Sequence, residues 1–238
     1  MKNLTFLLLI FTSTLTFAQN ITGSELLKKS IQFHDPNNNW KTFNGNFAIT
    51  MEIPNKPNRE SEIKINLPKE YFSLKIIKDT VVTESIVDKS ECQLSINGNT
   101  KLTDALKKAH NLNCKRAKFF KNYYTYLYGL PMKLNDEGTI IDQNVIQKTF
   151  KGKNYLVLKA TYTKAVGKDT WYFYFNPKTY AMEVYQFFKD ETKNDGEYIL
   201  LTDLETINGI KMPKNRAWYY NKNDKYLATD ILSKNTQH

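Results

Sequence analysis

Between residues 43 and 53 the side chains alternate: Phe43, Phe47, Ile49, Met51 and Ile53 are apolar, and Asn44, Asn46, Ala48, Thr50 and Glu52 between them are polar or small. A period of two marks an extended strand with one buried face, because successive side chains of a strand point to opposite sides. The turn-forming run Asn55-Lys56-Pro57-Asn58 follows, and then Ile63, Ile65 and Leu67 alternate with Glu62, Lys64 and Asn66. Two half-buried strands joined by a short polar turn pair antiparallel, so the pattern predicts a hairpin. Segments near 71–77, 80–88 and 91–96 continue the rhythm, parted by Lys78-Asp79 and Lys89-Ser90.

The rhythm returns after residue 139, at Ile140, Val145 and Ile146 and then over 155–162, 170–175, 182–188, 198–204, 217–220 and 226–232. Lys151-Gly152-Lys153, Asn176-Pro177-Lys178, Asn194-Asp195-Gly196, Asn208-Gly209 and Asn221-Lys222-Asn223-Asp224 supply the turns that a meander needs. Two stretches break the pattern. Thr22-Gly23-Ser24-Glu25 has capping-box spacing before Leu26, Leu27, Ser30, Ile31 and Phe33, a short helix stopped by Asp35-Pro36. Residues 100–130 step in threes and fours through Leu102, Ala105, Leu106 and Ala109, then Ala117, Phe120, Tyr124 and Leu127, which predicts two helices ending near Gly129 and Pro131. The expected fold class is α+β: a curved antiparallel sheet, an incomplete β-barrel of about eleven strands, with helices covering the concave face. The chain of 238 residues carries 15 Tyr, 14 Phe and 3 Trp against 9 Gly and 7 Pro, a balance that suits pleated surfaces and excludes collagen-like or low-complexity structure.

Lys2, the apolar run from Leu4 to Leu15, and Thr16-Phe17-Ala18 before Gln19 form a positive start, a short apolar core and a small-residue cut site. Residues 1–18 therefore read as a signal peptide cleaved after Ala18, and residues 19–238 as a single exported domain, periplasmic or secreted. The apolar core is shorter than the ~20 residues that span a bilayer. Without Lys2 the 34 basic residues become 33 against 24 acidic, a net charge of +9. This charge is scattered, with its densest group at Lys107, Lys108, Lys115, Arg116, Lys118 and Lys121, and no nucleic-acid reading module accompanies it. Peripheral contact with an anionic membrane stays open beside the plainer reading of a solvated helix face. Cys92 and Cys114 are the two cysteines, and in an oxidising compartment they are expected to pair as a disulfide that ties a strand to a helix.

No nucleophile elbow, HExxH, CxxC, phosphate-binding loop or dinucleotide fingerprint occurs in the sequence. No enzyme, metal or cofactor is expected on that reading. His34, beside Asp35 at the end of the first helix, reads as a solvated residue at a rim, and Asp190 with Glu191 or Asp203 with Glu205 as turn and edge charges. The informative excess is aromatic. Phe119, Tyr123, Tyr126 and Tyr128 put rings around most of the second helix of the 100–130 region, so it is clasped on two sides, either by core packing or as the wall of an apolar cavity. Trp171-Tyr172-Phe173-Tyr174-Phe175 places Trp171, Phe173 and Phe175 on one sheet face and Tyr172 and Tyr174 on the other, where a convex surface would show them to water.

Thr170 through Met182, with its strand-turn-strand pattern, and Ile207-Asn208-Gly209-Ile210-Lys211-Met212-Pro213 resemble the lipoprotein-carrier superfamily, LolA/LolB-like. Phe33-His34-Asp35-Pro36 with Trp40 and Phe43 is similar to an uncharacterised family of exported bacterial proteins near it. The resemblance implies a half-barrel with helices as a lid over an apolar pocket for acyl chains. On that reading the candidate lining is Phe47, Ile49, Met51, Phe120, Tyr124, Leu127, Trp171, Phe173 and Phe175, and the ligand is a lipid or other apolar molecule. The competing reading is an interaction or sensing module of the same fold with a filled core.

Overall fold

The structure is a computed structural model that describes residues 21–234. The expected signal peptide, residues 1–18, and its cleavage after Ala18 lie outside the described residues. Helix α1 (Gly23–His34) opens the fold, and its capping box forms as its spacing requires: the Thr22 side chain accepts from the Glu25 N–H while Glu25 accepts from the Thr22 N–H. Five strands follow as a meander, β1 (Asn44–Glu52), β2 (Arg59–Asn66), β3 (Tyr71–Lys78), β4 (Val81–Asp88) and β5 (Glu91–Ile96). Helices α2 (Asp104–Ala109) and α3 (Cys114–Tyr128) come next. The second arm runs through β6 (Thr139–Ile141), β7 (Ile146–Phe150), β8 (Lys153–Tyr162), β9 (Thr170–Phe175), β10 (Met182–Phe188), β11 (Glu197–Ile207), β12 (Ile210–Tyr220) and β13 (Tyr226–Lys234).

All thirteen strands join one antiparallel sheet in the order β5-β4-β3-β2-β1-β13-β12-β11-β10-β9-β8-β6, with β7 on β8. The fold is the expected α+β half-barrel; the count exceeds the expected eleven because short β6 and β7 pair separately along β8. Asn208-Gly209 closes β11 onto β12 with positive φ at both residues, the primed turn whose twist matches that of the strands.

The topology explains the lid. The first arm ends at edge strand β5 and the second begins at edge strand β6, on the opposite border of the sheet. Residues 97–138 must travel between the two borders of a curved sheet, and the direct way lies over its concave side. Helix α3, about 22 Å long at 1.5 Å per residue, makes that crossing. Its first residue, Cys114, is bonded to Cys92 of β5 with a Cα separation of 5.9 Å, so the disulfide pins the start of the crossover to the edge it leaves.

The core between helices and sheet is continuous, from Leu26 and Leu27 of α1 through Phe47, Ile63, Phe72, Phe173, Tyr185 and Met212 to Tyr124, Leu127 and Tyr128 of α3. The opposite face departs from expectation. Tyr174 is fully buried there among Tyr155, Val157 and Val184, because the β7–β8 hairpin brings the Phe150 ring to 5.1 Å from it and the Gln186 side chain accepts its hydroxyl. A second small core therefore covers part of the convex face.

Candidate functional site

Helix α3 turns one aromatic stripe inward. Phe120, Tyr124 and Tyr128 are spaced four residues apart, with ring centroids 5.8 Å and 6.0 Å apart along the stripe. Phe47 of β1 stacks on Tyr128 at 4.9 Å, and Phe72 of β3 lies parallel to Tyr124 at 6.3 Å. The concavity directly beneath α3 is thus occupied by the protein's own rings. Of the residues singled out from the sequence, Phe47, Ile49, Tyr124, Leu127, Phe173 and Phe175 are buried in this core, while Met51 and Phe120 are half-buried at its margins.

Trp171 is placed differently. It lines a cleft of about 650 Å³ on one flank of α3, bounded by the β2–β3 turn, the segment after α3 and the 162–171 loop. The apolar lining includes Leu67, Tyr71, Phe119, Tyr123, Tyr126, Tyr162, Val166 and Trp171, and charged residues such as Glu70, Lys121, Lys133, Asp136 and Lys168 stand around it. Phe119 and Val166 are 59% and 58% exposed, so an apolar side chain stands open to solvent on the helix wall and another on the loop wall. Trp171 is fixed by Tyr126 at 5.5 Å, Phe187 at 5.0 Å and Tyr185 at 6.0 Å. The Tyr126 and Tyr162 hydroxyls are hydrogen bonded across the cleft, and burial pushes the Tyr162 phenol up to about 12. Lys121 Nζ donates to the Glu70 carbonyl at 2.6 Å, a strap between α3 and the β2–β3 turn. The cleft was only partly legible in the sequence: the ring excess on α3 marked Phe119, Tyr123 and Tyr126, but nothing local pointed to Leu67, Tyr162 or Val166.

A polar patch lies deeper on the concave face. Arg216 of β12 is 1% exposed, with its guanidinium 3.8 Å from the centre of the Tyr128 ring and Nη1 donating to the Pro213 carbonyl. Its cross-strand neighbour Asp230 of β13 accepts from the Trp218 indole N–H at 3.2 Å. Burial raises the Asp230 carboxyl above its ordinary value against the pull of Arg216 and Arg59. Burial likewise pushes the Tyr128 and Tyr185 phenols well up, again opposed by Arg216. A charged residue on the core side of β13, between Ala228 and Leu232, was the available sequence signal.

His34 is not at a rim. It is fully buried, its Nδ1 faces the Lys211 carbonyl at 2.6 Å, and its Nε2 accepts the Met182 N–H at 3.0 Å. One ring nitrogen must donate and the other accept, so the imidazole is neutral, and burial lowers its pKa to about 4. Next to it Asp35 accepts the N–H groups of Asn39 and Trp40 at 2.7 Å and 2.8 Å. His34 and Asp35 join the end of α1 to β10, β12 and the turn that follows, and neither lines the cleft beside α3. Among the described residues no group of three or more His, Cys, Asp or Glu has the arrangement to hold a metal ion, and no helix is long and apolar enough to cross a membrane.

Among solved structures the chain is similar to a LolA-superfamily protein from Nitrosomonas europaea, with a TM-score of 0.50, 13% identity, and 90% of this chain and 92% of that chain covered. It is also similar to a domain provisionally described as an outer membrane lipoprotein-sorting protein from Vibrio parahaemolyticus, with a TM-score of 0.49, 12% identity and coverage of 91% and 93%. A third, a DUF1329-family protein from Desulfovibrio piger, has a TM-score of 0.46 at 7% identity, covering 89% and 91%. No protein with a curated description is significantly similar to the chain. The first likeness shows a shared LolA-like fold, the half-barrel described above. The profile of DUF6503, a family of unknown function, matches residues 2–235, and the chain belongs to that family.

Proposed function

We propose that the protein is an exported binder or carrier of a lipid or other apolar molecule, held between α3 and the curved sheet. The observation that carries this reading is the cleft beside α3: about 650 Å³, walled by Leu67, Phe119, Tyr123, Tyr126, Val166 and Trp171, with two exposed apolar residues at its walls. A space of this size lies within the usual range for small-molecule sites. A ligand enters along the flank of α3. Phe47, Ile49, Met51, Phe120, Tyr124, Leu127, Phe173 and Phe175 form the surface that a longer chain meets if α3 yields outward. Fluorescence titration with cis-parinaric acid tests the reading. The native protein takes up the probe saturably, and Trp171→Ala weakens uptake about tenfold by removing a large wall of the cleft. Unsaturable uptake, or equal uptake by the variant, overturns it.

A second reading has its own support. The concavity directly beneath α3 is filled by Phe120, Tyr124 and Tyr128, as in an interaction or sensing module that carries nothing. The same titration decides, since such a module shows no saturable uptake.

A further inference from the structure

Six buried polar side-chain atoms among the described residues lack a hydrogen bond of good geometry, and five lie on or over one patch of the concave face: Nε of Arg59 and of Arg216, and the hydroxyls of Tyr128, Tyr185 and Ser61. Tyr185 stands near Arg216, and Ser61 near the Tyr124 hydroxyl, without closing a well-formed bond. The sheet register collects them. Arg216 stands opposite Asp230, Asp230 opposite Met51, and Met51 opposite Arg59, so both arginines occupy one level across four neighbouring strands. Ser61 lies two residues along β2 on the same face, and Tyr128 descends from α3 onto Arg216. Neither arginine nor Asp230 forms an ion pair among the described residues.

Two guanidinium groups against one carboxylate leave one unit of positive charge in surplus. Of the other carboxylates on this face, Glu197 lies four residues along β11 from Leu201, the cross-strand neighbour of Arg216, where the charge of Lys189 acts on it, and Glu205, opposite Met212, pairs with Lys234 at 3.3 Å. Arg216 is fully buried, and Arg59 is half-buried with its Nε enclosed; a buried charge without a partner is costly, and so is each buried donor without an acceptor. Four of the five orphaned atoms belong to two guanidinium N–H groups and two phenols, all able to donate. The partner that satisfies them is a monoanion with two acceptor oxygens, and a flat carboxylate matches the edge of a guanidinium.

We propose that Arg216 and Arg59, with Tyr128 and Tyr185, receive the carboxylate of a long-chain amphiphile whose tail lies in the cleft beside α3. The inference rests on the cleft reading and names its ligand class. The two places adjoin: Trp171 lines the cleft and packs against Tyr185, and Tyr123 of α3 lines the cleft while its buried phenol feels the charge of Asp230. The head passes inward between these rings and the tail remains outside them.

Isothermal titration with dodecanoate and with 1-dodecanol separates head from tail. The native protein binds dodecanoate about tenfold more tightly than the alcohol, and Arg216→Met removes that preference while leaving dodecanol within about twofold. Tyr185→Phe, which deletes a single oxygen and keeps the ring, weakens dodecanoate about threefold and spares dodecanol; it decides the matter should Arg216→Met not fold. Equal affinity for acid and alcohol, or variants that weaken both alike, overturns the carboxylate site and leaves the cleft reading standing. Binding of neither overturns the cleft reading and this one with it. Acetate that binds as tightly as dodecanoate shows a small-anion site, and the amphiphile is then wrong.

Discussion

His34 shows how burial reassigns a residue whose type suggests chemistry. At the end of a short helix beside an acid it reads as solvated, yet its two nitrogens close hydrogen bonds to β10 and β12 that only a neutral ring can make. The unfolded chain takes up a proton at this residue near pH 6.5, and the folded chain resists until about pH 4. The folded state therefore binds fewer protons in that window, and stability falls as pH drops through it, by ~1.4 kcal/mol between pH 7.5 and 5.5. Urea unfolding at both pH values checks this. His34→Asn is less stable at pH 7.5 but lacks the added loss at 5.5, and a wild-type slope equal to the variant's would contradict the assignment. The partners of His34, 148 and 177 residues away in sequence, are why its role was not legible locally. Gly129 is constrained in a similar way. A Cβ there would stand 2.3 Å from the Trp40 ring and 2.6 Å from the Thr125 carbonyl, both parts of packed structure. Gly129→Ala is expected to cost ~1–3 kcal/mol, read as a lowered thermal midpoint.

Among the elements, strands were more legible than their neighbours. The alternation in β1 and β2 and the Asn208-Gly209 turn carried their own structure, because period and turn geometry are local properties. The convex core around Tyr174 was not legible, since a strand with rings on both faces does not say that a hairpin will fold Phe150 against one of them. The Cys92–Cys114 bridge formed as expected, and its consequence belongs to α3. Closing a loop with a sequence separation of 22 contributes ~3 kcal/mol on the chain-entropy account. Reduction should shift the urea midpoint down accordingly and raise hydrogen exchange in α3 ahead of the sheet. Uniform loss of protection across β1–β13 would instead mean that the bridge stabilises the whole fold rather than the crossover.

At the scale of the molecule, two meanders meet where β1 pairs with β13, residues 47–52 against 229–234. That pairing joins the ends of the domain, and no local pattern announces it. It places the two free borders on opposite sides and thereby sends the connecting helices over the concave face. The lid is thus a consequence of strand order, and the cleft is the gap left where α3 fails to seal against the 162–171 loop. The polar patch beneath was hidden for the same reason, since Arg59, Arg216 and Asp230 come together only once the arms have paired. Native mass spectrometry of the protein, purified without detergent, tests the binding claim most directly. The account predicts a second mass series heavier by one bound lipid, removed by organic extraction and restored by adding a fatty acid. A single bare mass before and after that addition would contradict it.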